Sequence, residues 1–130
     1  MLYVFPVVIP ANTPAVSPVT LDMPMTAGEI TRMMIQFPAG HLGLTHLHIN
    51  DGLHQVWPSN ERADFSTSDE IITWLEEYTL DAVPYDLTAY AWNLDDTYDH
   101  TITVRIELTP ANVQVSLTDQ IKTLLGIGGS

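Results

Sequence analysis

Hydrophobic and polar residues alternate without a break along Thr101–Leu108, where Ile, Val and Leu take turns with Thr, Arg and Glu. A period of two predicts a β-strand with one buried face and one solvated face. Similar apolar runs recur along most of the chain, separated by Pro, Gly, Asn and Asp, which favour turns. The pattern predicts an all-β fold of about eight short strands, an antiparallel β-sandwich that resembles a jelly roll.

The other predicted strands lie in the first hundred residues. They are Tyr3–Ile9, Val19–Met23, Ile30–Phe37, Leu44–Ile49, Leu53–Trp57, Glu70–Leu80 and Tyr85–Trp92. Glu70–Leu80 also fits a helix capped by Ser68 or Asp69, but its β-branched and aromatic residues favour a strand. In the third strand, simple alternation predicts one shared face for Thr31, Met33, Ile35 and Phe37.

Turn and proline signals suggest how these strands connect. Pro6 has no backbone N–H, so the first strand is expected at a sheet edge or against another chain. Pro10–Pro18 contains three prolines and predicts a stiff, extended connector. Asp51-Gly52 predicts a hairpin turn, and the polar segment Pro58–Asp69 predicts a surface loop.

The pattern changes after Pro110. Leu117, Ile121, Leu124 and Leu125 have helical spacing, which predicts a short amphipathic helix before a glycine-rich tail. The predicted organisation is one β-sandwich domain over residues 1–115 and a helix with its tail over residues 116–130. Residues 1–18 of the domain form its edge strand and proline-rich arm.

Charge narrows the classes of partner. The chain has 16 acidic and 4 basic side chains and a net charge of −12, so it lacks the clustered cations that nucleic acids and anionic membranes require. It has no cysteine, which excludes disulfides and thiolate metal sites. With neither a basic leader nor an apolar run of about 20 residues, we expect a soluble, unprocessed chain. No nucleophile or phosphate-loop motif is present, so we expect a non-enzymatic protein without a cofactor.

Two groups of residues are candidate metal ligands. His46 and His48 lie two apart on one strand, and His54 lies across the predicted turn, so three imidazoles on one sheet face would suit a transition metal. The HxH spacing resembles the metal motif of cupins, although the glutamate that follows in cupins is missing. The second group, Asp95, Asp96 and Asp99, offers oxygen ligands for Ca²⁺, but its spacing is also typical of a plain turn.

Aromatic residues suggest a further alternative, a carbohydrate- or receptor-binding module. The candidates for a sugar-stacking surface are Trp57, Trp74, Trp92, Tyr85, Tyr90 and Tyr98. Aromatic residues on strands more often belong to a core or an interface, and that interpretation stays open beside the first.

Apolar segments at both ends of the chain need a surface to pack against, which favours assembly with other protein chains. The interface candidates are Tyr3, Phe5 and Val7 in the first strand, Phe65 in the polar loop, and Leu117, Ile121, Leu124 and Leu125 in the helix.

The opening YVFPVVIPANTPAVSPVTL and the later PYDLTAYAWNLDDTYDHTITVRIEL resemble small β-sandwich proteins encoded among the virion genes of tailed phages. The likeness spans most of residues 3–108 and lies in strand pattern and turn sequences. It implies a structural virion role, most simply a capsid decoration protein that forms a homo-oligomer, with a trimer favoured, and binds the major capsid protein. The implied location is the virion, after synthesis in the host cytoplasm. No catalytic or ligand residue carries over from this likeness.

Overall fold

The structure is a computed structural model that describes residues 1–40 and 43–111. The predicted helix and tail, with the interface candidates Leu117, Ile121, Leu124 and Leu125, lie outside the described residues. Within these bounds the chain forms eight β-strands. They are β1 Leu2–Ile9, β2 Val19–Pro24, β3 Gly28–Phe37, β4 Thr45–Asp51, β5 His54–Trp57, β6 Glu70–Leu80, β7 Asp86–Asn93 and β8 His100–Pro110. The preference for a strand over a helix at Glu70–Leu80 is thus confirmed.

The strands form two four-stranded antiparallel sheets. The first sheet has the order β1-β8-β3-β6, and the second has the order β2-β7-β4-β5. The chain crosses repeatedly between the sheets, and this pair of strand orders is the topology of a jelly roll. The predicted all-β sandwich is confirmed, and β1, which carries Pro6, lies at the edge of the first sheet as expected.

The core lies between the sheets and is built by alternate residues of each strand. The first sheet contributes four buried residues of β8, and the second sheet contributes three buried residues of β7. They are Ile102, Val104, Ile106 and Leu108, and Leu87, Ala89 and Ala91. Further buried Ile, Leu, Met and Phe side chains belong to the same core. Asn93 is a buried polar residue at one end of this core. Its amide donates to the carbonyls of Ile9 (3.2 Å) and Tyr98 (2.9 Å), so its polar atoms are hydrogen-bonded rather than stranded.

A β-bulge interrupts the alternation in β3. The register with both neighbouring strands shifts between Ile30 and Arg32, and Ile30 and Met33 are both fully buried. The prediction that Thr31 shares the buried face of Met33 is therefore wrong, because the extra residue moves Ile30 to that face. The Thr31 hydroxyl instead donates to the carbonyl of Glu107 (3.4 Å).

Two connectors contact the sheets more closely than their composition suggests. The arm between β1 and β2 contains turns, so the predicted extended connector is wrong. Thr13 in this arm exchanges two 2.9 Å backbone hydrogen bonds with Asn93, which attach the arm to the end of β7. The loop after β5 runs beside β4, where Phe65 and Leu47 exchange backbone hydrogen bonds of 2.8 and 3.0 Å. The loop prediction is confirmed, and this pairing fixes the position of Asp64 beside β4.

Candidate functional site

Four rings stand together on the outer face of the second sheet, and we call His46, His48, Tyr90 and Trp92 the ring cluster. The strand register places His46 opposite Trp92 and His48 opposite Tyr90. The His46 and Trp92 rings lie parallel with centroids 5.2 Å apart, and the His48 and Tyr90 rings lie nearly parallel at 5.0 Å. Directly opposed residues of an antiparallel pair bring their side chains close enough for such stacking.

Oxygen acceptors hold both imidazoles of the ring cluster. His46 Nδ1 lies 2.6 Å from Asp64 Oδ1, and His48 Nδ1 lies 2.9 Å from Asn50 Oδ1. An ionised carboxylate only accepts, so Nδ1 of His46 is the donor, and the Asn50 amide oxygen likewise accepts from His48. Sequence reasoning missed Asp64, because only the pairing of the β5–β6 loop with β4 brings it to this face.

The third imidazole of the predicted trio lies elsewhere. His54 pairs with Asp51, whereas Asn50, which bonds His48, pairs with Gln55. Since paired residues share a face and neighbours alternate, His54 is on the side opposite to His48. Across residues 1–40 and 43–111, no three His, Cys, Asp or Glu side chains come close enough to share a metal ion. The three-histidine arrangement predicted on one sheet face is therefore wrong.

The acidic turn before β8 uses its carboxylates for its own backbone. Asp95 Oδ1 accepts from the N–H groups of Thr97 (2.9 Å) and Tyr98 (3.3 Å), and Asp95 Oδ2 lies 2.8 Å from His100 Nε2. The His100 hydrogen bond, followed by the backbone N–H groups, holds the pKa of the Asp95 carboxyl below its usual value.

The other two aspartates of the predicted calcium group bond in different directions. Asp99 Oδ1 accepts from the N–H of Ala11 (2.9 Å), and Asp96 Oδ1 accepts from the hydroxyl of Thr97 (2.8 Å). The described part of the chain therefore shows this segment as a hydrogen-bonded turn, the alternative that the spacing had left open.

The six residues of the predicted aromatic surface do not form one surface. Tyr85 packs against the core, and Tyr98 lies in the turn before β8 and is 68% exposed. Tyr90 and Trp92 face outward in the ring cluster, whereas Trp57 is buried and packs edge-on against Trp74 and Tyr78, with centroids 6.2 and 5.2 Å away. Trp74 also stacks on Phe65, at 5.4 Å. This inner cluster closes the sandwich where the edge strands β5 and β6 approach each other, so its role is packing between the sheets.

Two hydrogen bonds join the sheets at this closed edge. The Trp57 Nε1–H donates to Glu76 Oε1, and the Tyr78 hydroxyl donates to Asp51 Oδ2, each over 2.6 Å. Burial, and then the hydrogen bond to Asp51, raise the pKa of the Tyr78 phenol well above its ordinary value.

The outer face of the first sheet is the second candidate surface, and we call it the low-charge face. Its margins are apolar: Leu2, Val4 and Val8 of β1 are 55%, 52% and 58% exposed, and Ile71 and Leu75 of β6 are 53% and 73% exposed. Its centre is polar and internally paired. Arg105 Nη1 donates to Gln36 (2.8 Å), and Arg32 lies 3.6 Å from the Glu107 carboxylate.

The interface candidates of β1 point the other way. Val7 is only 1% exposed and belongs to the core, and Tyr3 and Phe5 pack against that core from the same face. The prediction of Val7 as an interface residue is wrong, because this side chain is buried. The sequence pattern was misleading here: both faces of β1 carry apolar residues, so alternation does not show which face is outside. Phe65 also packs against the core, beside Trp74.

Comparison with known proteins does not identify a family for this chain. The chain matches no protein-family model, and it has no significant match among curated proteins. Among the described residues, no helix has the length and apolar character needed to cross a membrane.

Proposed function

We propose that this chain is a non-enzymatic structural protein of a virion, a capsid decoration protein that self-associates and binds the capsid lattice. The jelly roll is a fold that viral capsid proteins use, although it also serves lectins and cupins, so the fold alone does not decide the function. The support comes from the sequence likeness to phage virion proteins and from the low-charge face.

The low-charge face is the observation that carries this proposal. The whole chain carries a net charge of −12, but on this face three carboxylates, those of Glu29, Glu77 and Glu107, stand beside two guanidiniums, those of Arg32 and Arg105. Two copies of an acidic protein repel each other least where their charge is most nearly balanced. Apolar margins on the same face supply surface whose burial favours association.

A charge placed in an apolar margin tests the proposal. Light scattering of the full chain over a range of concentrations should show an oligomer, with a trimer favoured. Val4→Glu or Leu75→Glu should weaken association by about tenfold or more, since an interface would then bury an unpaired carboxylate. Leu53→Glu is the matched control, because Leu53 is fully exposed at the turn between β4 and β5, away from this face.

Capsid binding is measured separately, by co-sedimentation with the capsid shells of the phage that carries the gene. Wild-type protein and Leu53→Glu should pellet with the shells, and Val4→Glu should remain in the supernatant. A wild-type chain that stays monomeric at every concentration and never pellets with shells would contradict the proposal.

A second candidate function is glycan or receptor binding at the ring cluster. Tyr90 and Trp92 are the only two residues of the predicted aromatic surface that the structure brings side by side on an outer sheet face within the described residues, and Asp64 and Asn50 add polar groups beside them. Sugar recognition combines ring stacking with such hydrogen-bonding groups. Glycan-array binding that Trp92→Ala abolishes, and that Tyr98→Ala leaves, would favour this candidate over assembly, since Tyr98 is exposed in the turn before β8.

A further inference from the structure

Two imidazoles of the ring cluster project from one strand to the same side. His46 and His48 are two residues apart on β4, and the buried residues Thr45, Leu47 and Ile49 alternate with them on the inner side. Both histidines therefore leave the outer face of the sheet, and neither is buried. Spacing of this kind places two metal-ligating side chains next to each other without any contribution from a loop.

The hydrogen bonds of these imidazoles determine which nitrogen is free to bind. Nδ1 of His46 donates to the Asp64 carboxylate, and Nδ1 of His48 donates to the Asn50 amide oxygen. A neutral imidazole that carries its proton on Nδ1 has its lone pair on Nε2. An oxygen acceptor on the far nitrogen is also the usual companion of a metal-binding histidine, because it fixes the tautomer and raises the basicity of the ligand.

Ring stacking restricts both side chains before any ligand arrives. The indole of Trp92 lies parallel to His46, and the phenol of Tyr90 lies parallel to His48. Trp92 also meets His48 edge-on, with centroids 6.0 Å apart. A side chain that is already restricted loses less conformational entropy on binding. The cluster thus supplies two oriented donors at a small entropic penalty.

We infer that His46 and His48 form a two-histidine site for a borderline divalent transition metal, with Cu²⁺ bound more tightly than Ni²⁺ or Zn²⁺. Imidazole nitrogen suits these ions, and the order follows their general affinity for nitrogen ligands. Hard cations such as Ca²⁺ and Mg²⁺ prefer oxygen and are not expected here. Because the described residues offer no third His, Cys, Asp or Glu to the site, water or another molecule completes the coordination. This site is independent of the assembly proposed above.

The site is tested by titrating the full, tag-free chain with Cu²⁺, Ni²⁺ and Zn²⁺. Calorimetry and tryptophan fluorescence measure the binding. We expect one ion per chain. Cu²⁺ should strongly quench the tryptophan fluorescence, since Trp92 stacks on His46. Trp92→Phe should remove most of this quenching and leave the binding that calorimetry measures. His46→Gln and His48→Gln should each weaken binding by about tenfold or more. His54→Gln is the matched control, because His54 is exposed on β5 and faces the other side.

Asp64 acts in this site as a positioning residue. Asp64→Asn should weaken metal binding by about 10- to 100-fold, the usual effect of losing a hydrogen-bond partner of a ligand. Imidazole NMR of the unmodified protein, recorded with Zn²⁺, gives a readout that does not depend on how any variant folds. The Nε2 resonances of His46 and His48 should move, and that of His54 should not. An absence of saturable binding, or a shift confined to His54, would overturn the proposal.

Discussion

Replacing Tyr78 by Phe removes one of the two hydrogen bonds that join the sheets at their closed edge. The lost bond is short, 2.6 Å, and its acceptor is the carboxylate of Asp51. Hydrogen bonds to charged groups contribute about 1.5–3 kcal/mol. Both partners are half-buried, so water can partly rehydrate Asp51 in the variant, and the lower end of that range applies. We expect the free energy of unfolding to fall by about 1.5 kcal/mol.

Urea unfolding followed by tryptophan fluorescence measures this loss, and calorimetry should show a melting temperature lower by about 5 °C for a domain of this size. Tyr90→Phe is the matched control, because the Tyr90 hydroxyl makes no hydrogen bond to another described residue, and it should change stability by less than about 0.5 kcal/mol. A double-mutant cycle with Asp51→Asn should give a coupling energy close to the single loss. If the two substitutions prove additive, or Tyr78→Phe is as stable as wild type, the inter-sheet bond contributes nothing.

The raised pKa of Tyr78 adds a pH dependence whose direction is fixed. The folded protein holds the phenol proton more tightly than the unfolded chain, in which it leaves at about 10.0. The contribution is complete below that value and disappears as the pH rises toward the raised pKa of the folded state. Wild-type stability should therefore fall more steeply above pH 10 than that of Tyr78→Phe. Equal slopes in the two proteins would contradict this reasoning.

Three further predictions follow from the fold. Gly28→Ala should lower the free energy of unfolding in urea by about 1–3 kcal/mol, because the new Cβ would come within 2.3 Å of a β8 backbone oxygen. Gly52→Ala is the control: its Cβ meets nothing within 4 Å, so it should lose only about 1 kcal/mol, for its positive φ. Met33→Ala should lose about 2–5 kcal/mol and Met34→Ala less than about 1 kcal/mol, and a reversed order in thermal melts would contradict the burial of Met33. Asp95→Asn should destabilise near neutral pH, and its difference from wild type in acid titrations should vanish as the pH falls through the usual aspartate value of 3.8 toward the lowered pKa.

Local pattern was sufficient to predict most of the strands. Thr101–Leu108 lies wholly within β8, and the Asp51-Gly52 turn joins β4 to β5 with Gly52 at a φ of 59°. Pro6 correctly indicated an edge strand. These features depend on a residue and its nearest neighbours, which is the information that periodicity and turn chemistry carry.

The arrangement of the candidate sites depends on long-range register, which single-sequence pattern does not contain. The bulge after Ile30 changes which residues of β3 face inward, and nothing in the composition marks it. The irregular register between Ile49 and Asn50 lies just before the turn that carries His54 to the other side. Asp64 reaches His46 only because the loop beyond β5 pairs with β4. In β1, apolar residues on both faces concealed which row is exposed.

The strand order of the first sheet has a consequence for how the chain folds. No two neighbours in β1-β8-β3-β6 are consecutive in the sequence, and Leu2 finds its partner only at Glu107. During translation, β1 and one side of β3 must therefore wait for β8 to leave the ribosome. Such distant pairing slows folding and leaves apolar strands unprotected in the nascent polypeptide. A chain of this topology is expected to depend on chaperones and low temperature for high yield when it is overproduced.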